Sequence, residues 1–178
     1  MREAYLADIA RTFRNYRSLA DKALAQVSDE QLGVALDPDD NSLAVIMQHV
    51  AGNLRSRFRD FLTSDGEKPD RDRDAEFEAG PIDRGALFAN WNDGWDVALH
   101  AIDALTPADL DRTVHIRREG FLVPEALSRS VTHTAYHVGQ IVFLAKHLKA
   151  AEWKTLSIPK GRSKEYGTGS FKQGIVPK

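Results

Sequence analysis

Two histidines, His133 and His137, stand four positions apart inside the most strongly periodic segment of the chain. Side chains at i and i+4 of a helix lie one above the other on the same face, so two imidazoles placed this way can reach one metal ion. A third ligand must come from another element, and His49 is the candidate. Three neutral imidazoles suit Zn²⁺ or Ni²⁺, with geometry and availability deciding between them. Three protein ligands leave positions open for water or substrate, the arrangement of a catalytic site rather than a closed structural one. The ion in such a site lowers the pKa of a bound water or thiol and makes a nucleophile near neutral pH. Spacing alone leaves core or interface histidines as the alternative, so the facing of each residue has to be tested.

A helical wheel at about 100° per residue provides the test. With His133 at zero, Leu127, Val131, Ala135, Val138, Ile141, Val142, Ala145 and Leu148 fill an apolar arc from roughly 60° to 200°. His133, His137 and Gln140 share the edge of that arc. On the helix that carries His49, the core arc holds Ile46, Met47, Val50, Leu54, Phe58 and Phe61. His49 again sits at the edge, followed by Asn53 and Arg57 at successive turns. Two helices with histidine at the margin of an apolar face can enclose a polar pocket at one end of a dry bundle. Gln140 and Asn53 are candidates to orient an imidazole or a substrate by hydrogen bonds. Arg57 reads as part of a solvated face with Arg55 and Arg59, with anionic-substrate binding as the alternative. Tyr136 turns away from the ligands. His100, His115 and His147 read as ordinary surface or core residues, and Trp91 and Trp95, one turn apart, as core or interface.

Four long segments have the period that positions these residues. The first runs from about Glu3 to Val27, followed by Ser28 and Gln31, which fit a capping box opening a short helix. Asp37-Pro38-Asp39-Asp40-Asn41 is a turn. Ser42 caps the second long helix, which is expected to reach about Thr63. The charged stretch from Glu67 to Pro81 reads as a surface loop. Asp83 caps the third long helix, to Leu105, and Thr106-Pro107 opens a short turn. Thr113–Arg117 and Phe121–Val123 flank Arg118-Glu119-Gly120 as a small hairpin. Pro124 starts the fourth long helix, which reaches about Lys149. The pattern predicts an all-α fold: an antiparallel four-helix bundle with one long crossover loop, a hairpin before the last helix and a C-terminal tail. Residues 1–178 read as one domain, with the tail, 150–178, wrapping the bundle through Trp153, Leu156 and Ile158.

Composition removes several alternatives. The 178 residues contain no cysteine, which excludes disulfides, thiolate-bound metals and cysteine catalysis. The formal net charge of -2, with both signs interspersed, speaks against a nucleic-acid surface. The basic tail from Lys154 to Lys178 reads as a solvated run, with an anion-binding segment as the alternative. No apolar run is long enough to span a bilayer, and Met1-Arg2-Glu3-Ala4-Tyr5 opens no signal sequence, so a cytoplasmic protein without membrane partners is expected. His133-Thr134-Ala135-Tyr136-His137 lacks the glutamate of HExxH, and there is no nucleophile elbow, P-loop or dinucleotide fingerprint.

The segment His133-Thr134-Ala135-Tyr136-His137-Val138-Gly139-Gln140-Ile141 resembles the C-terminal H-xxx-H-xGQ metal motif of the DinB-like (YfiT-like) superfamily. Asn41 to Leu54 resembles the helix that carries that superfamily's first histidine. Phe61 to Pro69 and Leu156 to Gly161 resemble an uncharacterised bacterial branch of it. The resemblance covers nearly the whole chain, and both motifs stand in the right order. It implies a four-helix bundle, often a homodimer, in which His49, His133 and His137 hold nickel or zinc. Some relatives are thiol S-transferases that use a low-molecular-weight thiol; others are metal-dependent hydrolases. The expected function is therefore metal-dependent activation of a small thiol or of water, thiol S-transferase-like or hydrolytic. The competing reading is a non-catalytic, stress-related helical dimer whose histidines only stabilise the bundle. A shared fold does not decide between them.

Overall fold

The computed structural model describes residues 1–165. Five α-helices and one two-stranded hairpin follow each other in the order α1 (Arg2–Leu24), α2 (Asp29–Leu32), α3 (Leu43–Phe58), α4 (Arg84–Asp103), β1 (Thr113–Ile116), β2 (Glu119–Leu122) and α5 (Val123–Lys149). Short 3₁₀ turns lie at Ala75–Phe77 and Pro107–Asp111. The long helices form a ring in which α1 packs on α4 and α5, and α3 packs on the same two. The fold is the all-α helical bundle that the periodicity predicts.

Local chemistry starts these helices where the sequence places the starts. Ser28 and Gln31 make a reciprocal capping box, with Gln31 N donating to Ser28 Oγ at 3.3 Å and Ser28 N to Gln31 Oε1 at 3.0 Å. Ser42 Oγ accepts from Val45 N at 3.3 Å, and an Asp83 carboxylate oxygen accepts from Ala86 N at 3.1 Å. The end of α3 differs from expectation. The helix stops at Phe58 rather than near Thr63, because Arg59 is extended and Asp60 adopts a left-handed φ of 52°. Thr63 N and Ser64 N then donate to Asp60 O, which closes a turn.

Apolar burial holds the ring together. Phe13, Phe58 and Trp95 meet edge to face in its interior, with ring centroids 5.7 Å and 6.5 Å apart from Phe13. Trp91 stacks 5.6 Å from Trp95 and donates its indole N–H to Asp21 at 2.8 Å. Both tryptophans are fully buried core residues, as their spacing predicts. The α3–α4 contact is so close that a Cβ at Gly94 would lie 2.7 Å from the Ala51 backbone. Helix α3 is consequently buried on most of its circumference, including the polar side chains of His49 and Arg57.

The tail meets the bundle through Trp153 and Leu156, and Gln26 exchanges two hydrogen bonds with the Lys154 backbone. Ile158 does not anchor it: at 37% exposure it points outward from an irregular segment. The wrap expected beyond residue 165 falls outside the described residues. Among the described residues, no helix is long and apolar enough to cross a membrane.

Candidate metal centre

Helix α5 presents His133 and His137 from consecutive turns, and α3 brings His49 to meet them. His133 Nε2 lies 3.3 Å from His49 Nε2 and 3.2 Å from His137 Nε2, and the three nitrogens all fall within 4.8 Å of one another. Two nitrogens each about 2.0–2.1 Å from a tetrahedral ion stand roughly 3.3–3.4 Å apart, so the two short separations fit one ion between the rings.

The outward nitrogens strengthen that fit. His49 Nδ1 is 2.9 Å from Glu76 Oε2, and His137 Nδ1 is 2.7 Å from Gln140 Oε1. Carboxylate and amide oxygens only accept, so both Nδ1 atoms carry a proton, and in the neutral rings both Nε2 atoms present lone pairs. His133 can donate its Nε2 proton to one of them at most. At least one of the two close N···N contacts is therefore lone pair against lone pair unless a cation stands between them. The donor set itself thus suits a divalent ion held by His49, His133 and His137.

Burial and neighbouring charge keep His133 and His137 neutral, the form that ligates. The His133 pKa is lowered from 6.5 to about 3, first by burial, then by His137 and His49, and further by the cations of Arg57 and Arg71. Burial also lowers His137, against the hydrogen bond it donates to Gln140, which raises it. Burial alone would raise the Glu76 carboxyl, but hydrogen bonds from Arg71 and His49 outweigh it and leave it below the ordinary carboxylate range.

Each expected residue has a definite place. Gln140 accepts a hydrogen bond from His137. Asn53 lines a cavity of about 450 Å³ that opens beside His49 and His133. Arg57 is not on a solvated face: it is buried, and its guanidinium donates to Gly66 O and to Glu67. Arg55 and Arg59 do lie at the surface, paired with Asp93 and Asp70. Tyr136 is exposed, yet its ring approaches His137 to 4.9 Å and it lines the same cavity, so it is not turned fully away. His100, His115 and His147 are not part of the cluster.

The Glu67–Pro81 stretch, which its composition marks as exposed, reaches into the site. It is not simply a surface loop. Glu76 reaches His49 and is itself gripped by Arg71, through Nε at 2.7 Å and Nη2 at 2.8 Å. The Arg71 and Glu76 side chains are only 5% and 10% exposed. Phe77 covers the His49 ring at 4.6 Å between centroids. Gly52, one turn after His49, makes room: a Cβ there would lie 2.1 Å from Glu76 Oε1. That glycine in mid-helix, beside the ligand, is the sequence signal that points to a close approach.

The hairpin closes the far side of the cavity. Arg117 and Arg118 take left-handed φ values of 56° and 66°. Asp65 supports that turn by accepting from Arg117 N at 2.9 Å and Arg118 N at 2.7 Å. Arg117 Nε then donates to Glu67 at 2.9 Å.

Compared with known proteins, the chain matches a family model described as "Protein of unknown function (DUF1572)" over residues 1–162. No curated protein matches it.

Proposed function

The chain belongs to the family described as "Protein of unknown function (DUF1572)", and on the chemistry of its site we propose that it is a metal-dependent enzyme acting on a small-molecule substrate. The observation that carries this reading is the convergence of three imidazoles, two of which, His49 and His133, line a cavity. His49, His133 and His137 hold the ion, nickel or zinc by the nature of the ligands. When bound, it lowers the pKa of a water or low-molecular-weight thiol and so supplies a nucleophile at neutral pH.

The chain's own residues do the rest. Glu76 and Gln140 fix the tautomer and ring orientation of two ligands, a task that typically matters 10–100-fold in affinity or activity. Arg71 holds Glu76 ionised in place. Phe77 shields one side of His49 from water. Asn53, one turn from His49 on the cavity wall, is placed to hydrogen-bond a substrate. The similarity of His133 to Ile141 to the DinB-like motif supports the same ligand set; thiol transfer is the leading form of this reading and hydrolysis its alternative. The cavity beside His133 favours an open, catalytic site over a purely structural one.

Elemental analysis of tag-free protein, with His133→Ala alongside, tests the proposal. Metal should copurify with the native chain and be lost from the variant; equal content in both would overturn it. Cobalt-substituted protein should then change its visible spectrum on addition of a small thiol, whereas a closed structural site would leave it unchanged.

A further inference from the structure

Five arginines, Arg57, Arg71, Arg73, Arg117 and Arg129, line the cavity beside the histidines, and among the described residues no carboxylate lines it. They come from four separate parts of the chain: α3, the loop around Ala75–Phe77, the hairpin turn and α5. Their pairing is uneven. Arg57 and Arg71 are buried and committed to Glu67 and Glu76. Arg117 shares Glu67 with them, and its side chain is 61% exposed. Arg73 approaches Asp74 at 3.9 Å, an aspartate whose side chain is 99% exposed, and its guanidinium lies 5.1 Å from the Phe77 ring centroid. Arg129 has no carboxylate partner among the described residues; its guanidinium lies 6.0 Å from the Phe121 ring centroid.

Two buried or half-buried carboxylates, Glu67 and Glu76, thus face five guanidiniums, leaving an excess of positive charge on one concave wall. Solvated arginines spread over a convex surface; here they converge on one open pocket. The position of Arg129 adds direction. It precedes His133 by four residues, as His133 precedes His137, so the three lie in line along one face of α5. The cavity volume, about 450 Å³, is in the ordinary range for small-molecule sites and far too small for a nucleic acid.

Resting on the catalytic reading above, we infer that the substrate, or the thiol that is its partner, is a small molecule carrying a carboxylate or phosphate, and that Arg73, Arg117 and Arg129 hold that anionic end while the reactive end faces the histidines. Guanidinium groups bind both oxyanions through paired N–H donors, so the two share one recognition chemistry. Ser130, also on the cavity wall, offers a hydroxyl beside Arg129.

Calorimetric titration of the purified, metal-bound protein with succinate, with inorganic phosphate and with neutral succinamide tests this. Binding of either anion, absent with succinamide, is expected; the tighter of the two identifies the group. In Arg129→Gln affinity should fall about tenfold, the equivalent of roughly 1.4 kcal/mol, and further in Arg73→Gln/Arg129→Gln, with metal content and melting temperature unchanged. His133→Ala separates the sources of binding. Anion affinity retained there but lost in the arginine variants supports the inference whatever the metal analysis shows. Affinity lost in His133→Ala but kept in Arg129→Gln places the anion on the ion and overturns it, as does binding of succinamide equal to succinate or no binding at all.

Discussion

Two regions of this bundle are buried to similar depth by opposite means. Around Phe13, Phe58, Trp91 and Trp95 the interior is aromatic and fits by shape. Around His49, Arg71, Glu76 and His137 it is polar and fits by pairing. The first gains stability from every apolar area removed from water. The second gains little from burial, because each charge taken from water must be repaid by its partner. The aromatic end keeps the fold, while the polar end depends on a fold already made.

Breaking the aromatic end should have the largest effect. Trp95→Ala removes a fully buried ring, and a loss of about 3–5 kcal/mol is expected, measured by denaturant unfolding. The same change should alter metal affinity only in proportion to the folded fraction.

At the polar end the effect should move from stability to ligand. Glu76→Gln keeps the shape but removes the charge that holds His49 and Arg71, and metal affinity is expected to fall 10–100-fold in chelator competition. Gly52→Ala should reach the same readout indirectly, by pushing the Glu76 carboxylate away from His49. If either variant lost stability as Trp95→Ala does while keeping its metal, the division between the two ends would fail.

Acid sharpens the contrast further. The folded-state pKa of His133 is depressed, to about 3 from 6.5. Below 6.5 the unfolded chain therefore takes a proton that the folded site refuses. Its contribution to stability is complete above about 6.5 and is lost as the pH falls toward 3. Metal-free protein should lose melting temperature over that window, and His133→Gln should lose less. The smallest effect is expected far from both regions. Arg14→Ala, which removes the exposed ion pair with Asp103, should change stability by no more than about 0.5 kcal/mol.

Legibility in the sequence follows the same division. The aromatic end repeats along single helices, so Trp91 and Trp95 were readable from period alone. His133, His137 and Gln140 were readable for the same reason, being neighbours on one face of α5. His49 needed a second helix and its wheel. Glu76 and Arg71 were not legible, because nothing periodic surrounds them and a charged, proline-bearing stretch has the composition of solvent-exposed chain. Arg57 misled in the opposite direction: flanked by Arg55 and Arg59, it resembles a solvated stripe, yet α3 is covered on nearly every side. The early end of α3 depended on the left-handed Asp60, which has no strong signature in a residue that tolerates that conformation.

The missing side chain at position 52 has a consequence for how such a protein can change over generations. Because the carboxylate of Glu76 occupies the space a methyl group would need, the loop and the helix inherit a shared constraint. A relative that keeps an acid at the position of Glu76, hooked to the same histidine, is held to glycine at the position of Gly52. One that loses the acid is released, and bulkier residues should reappear on that turn of helix.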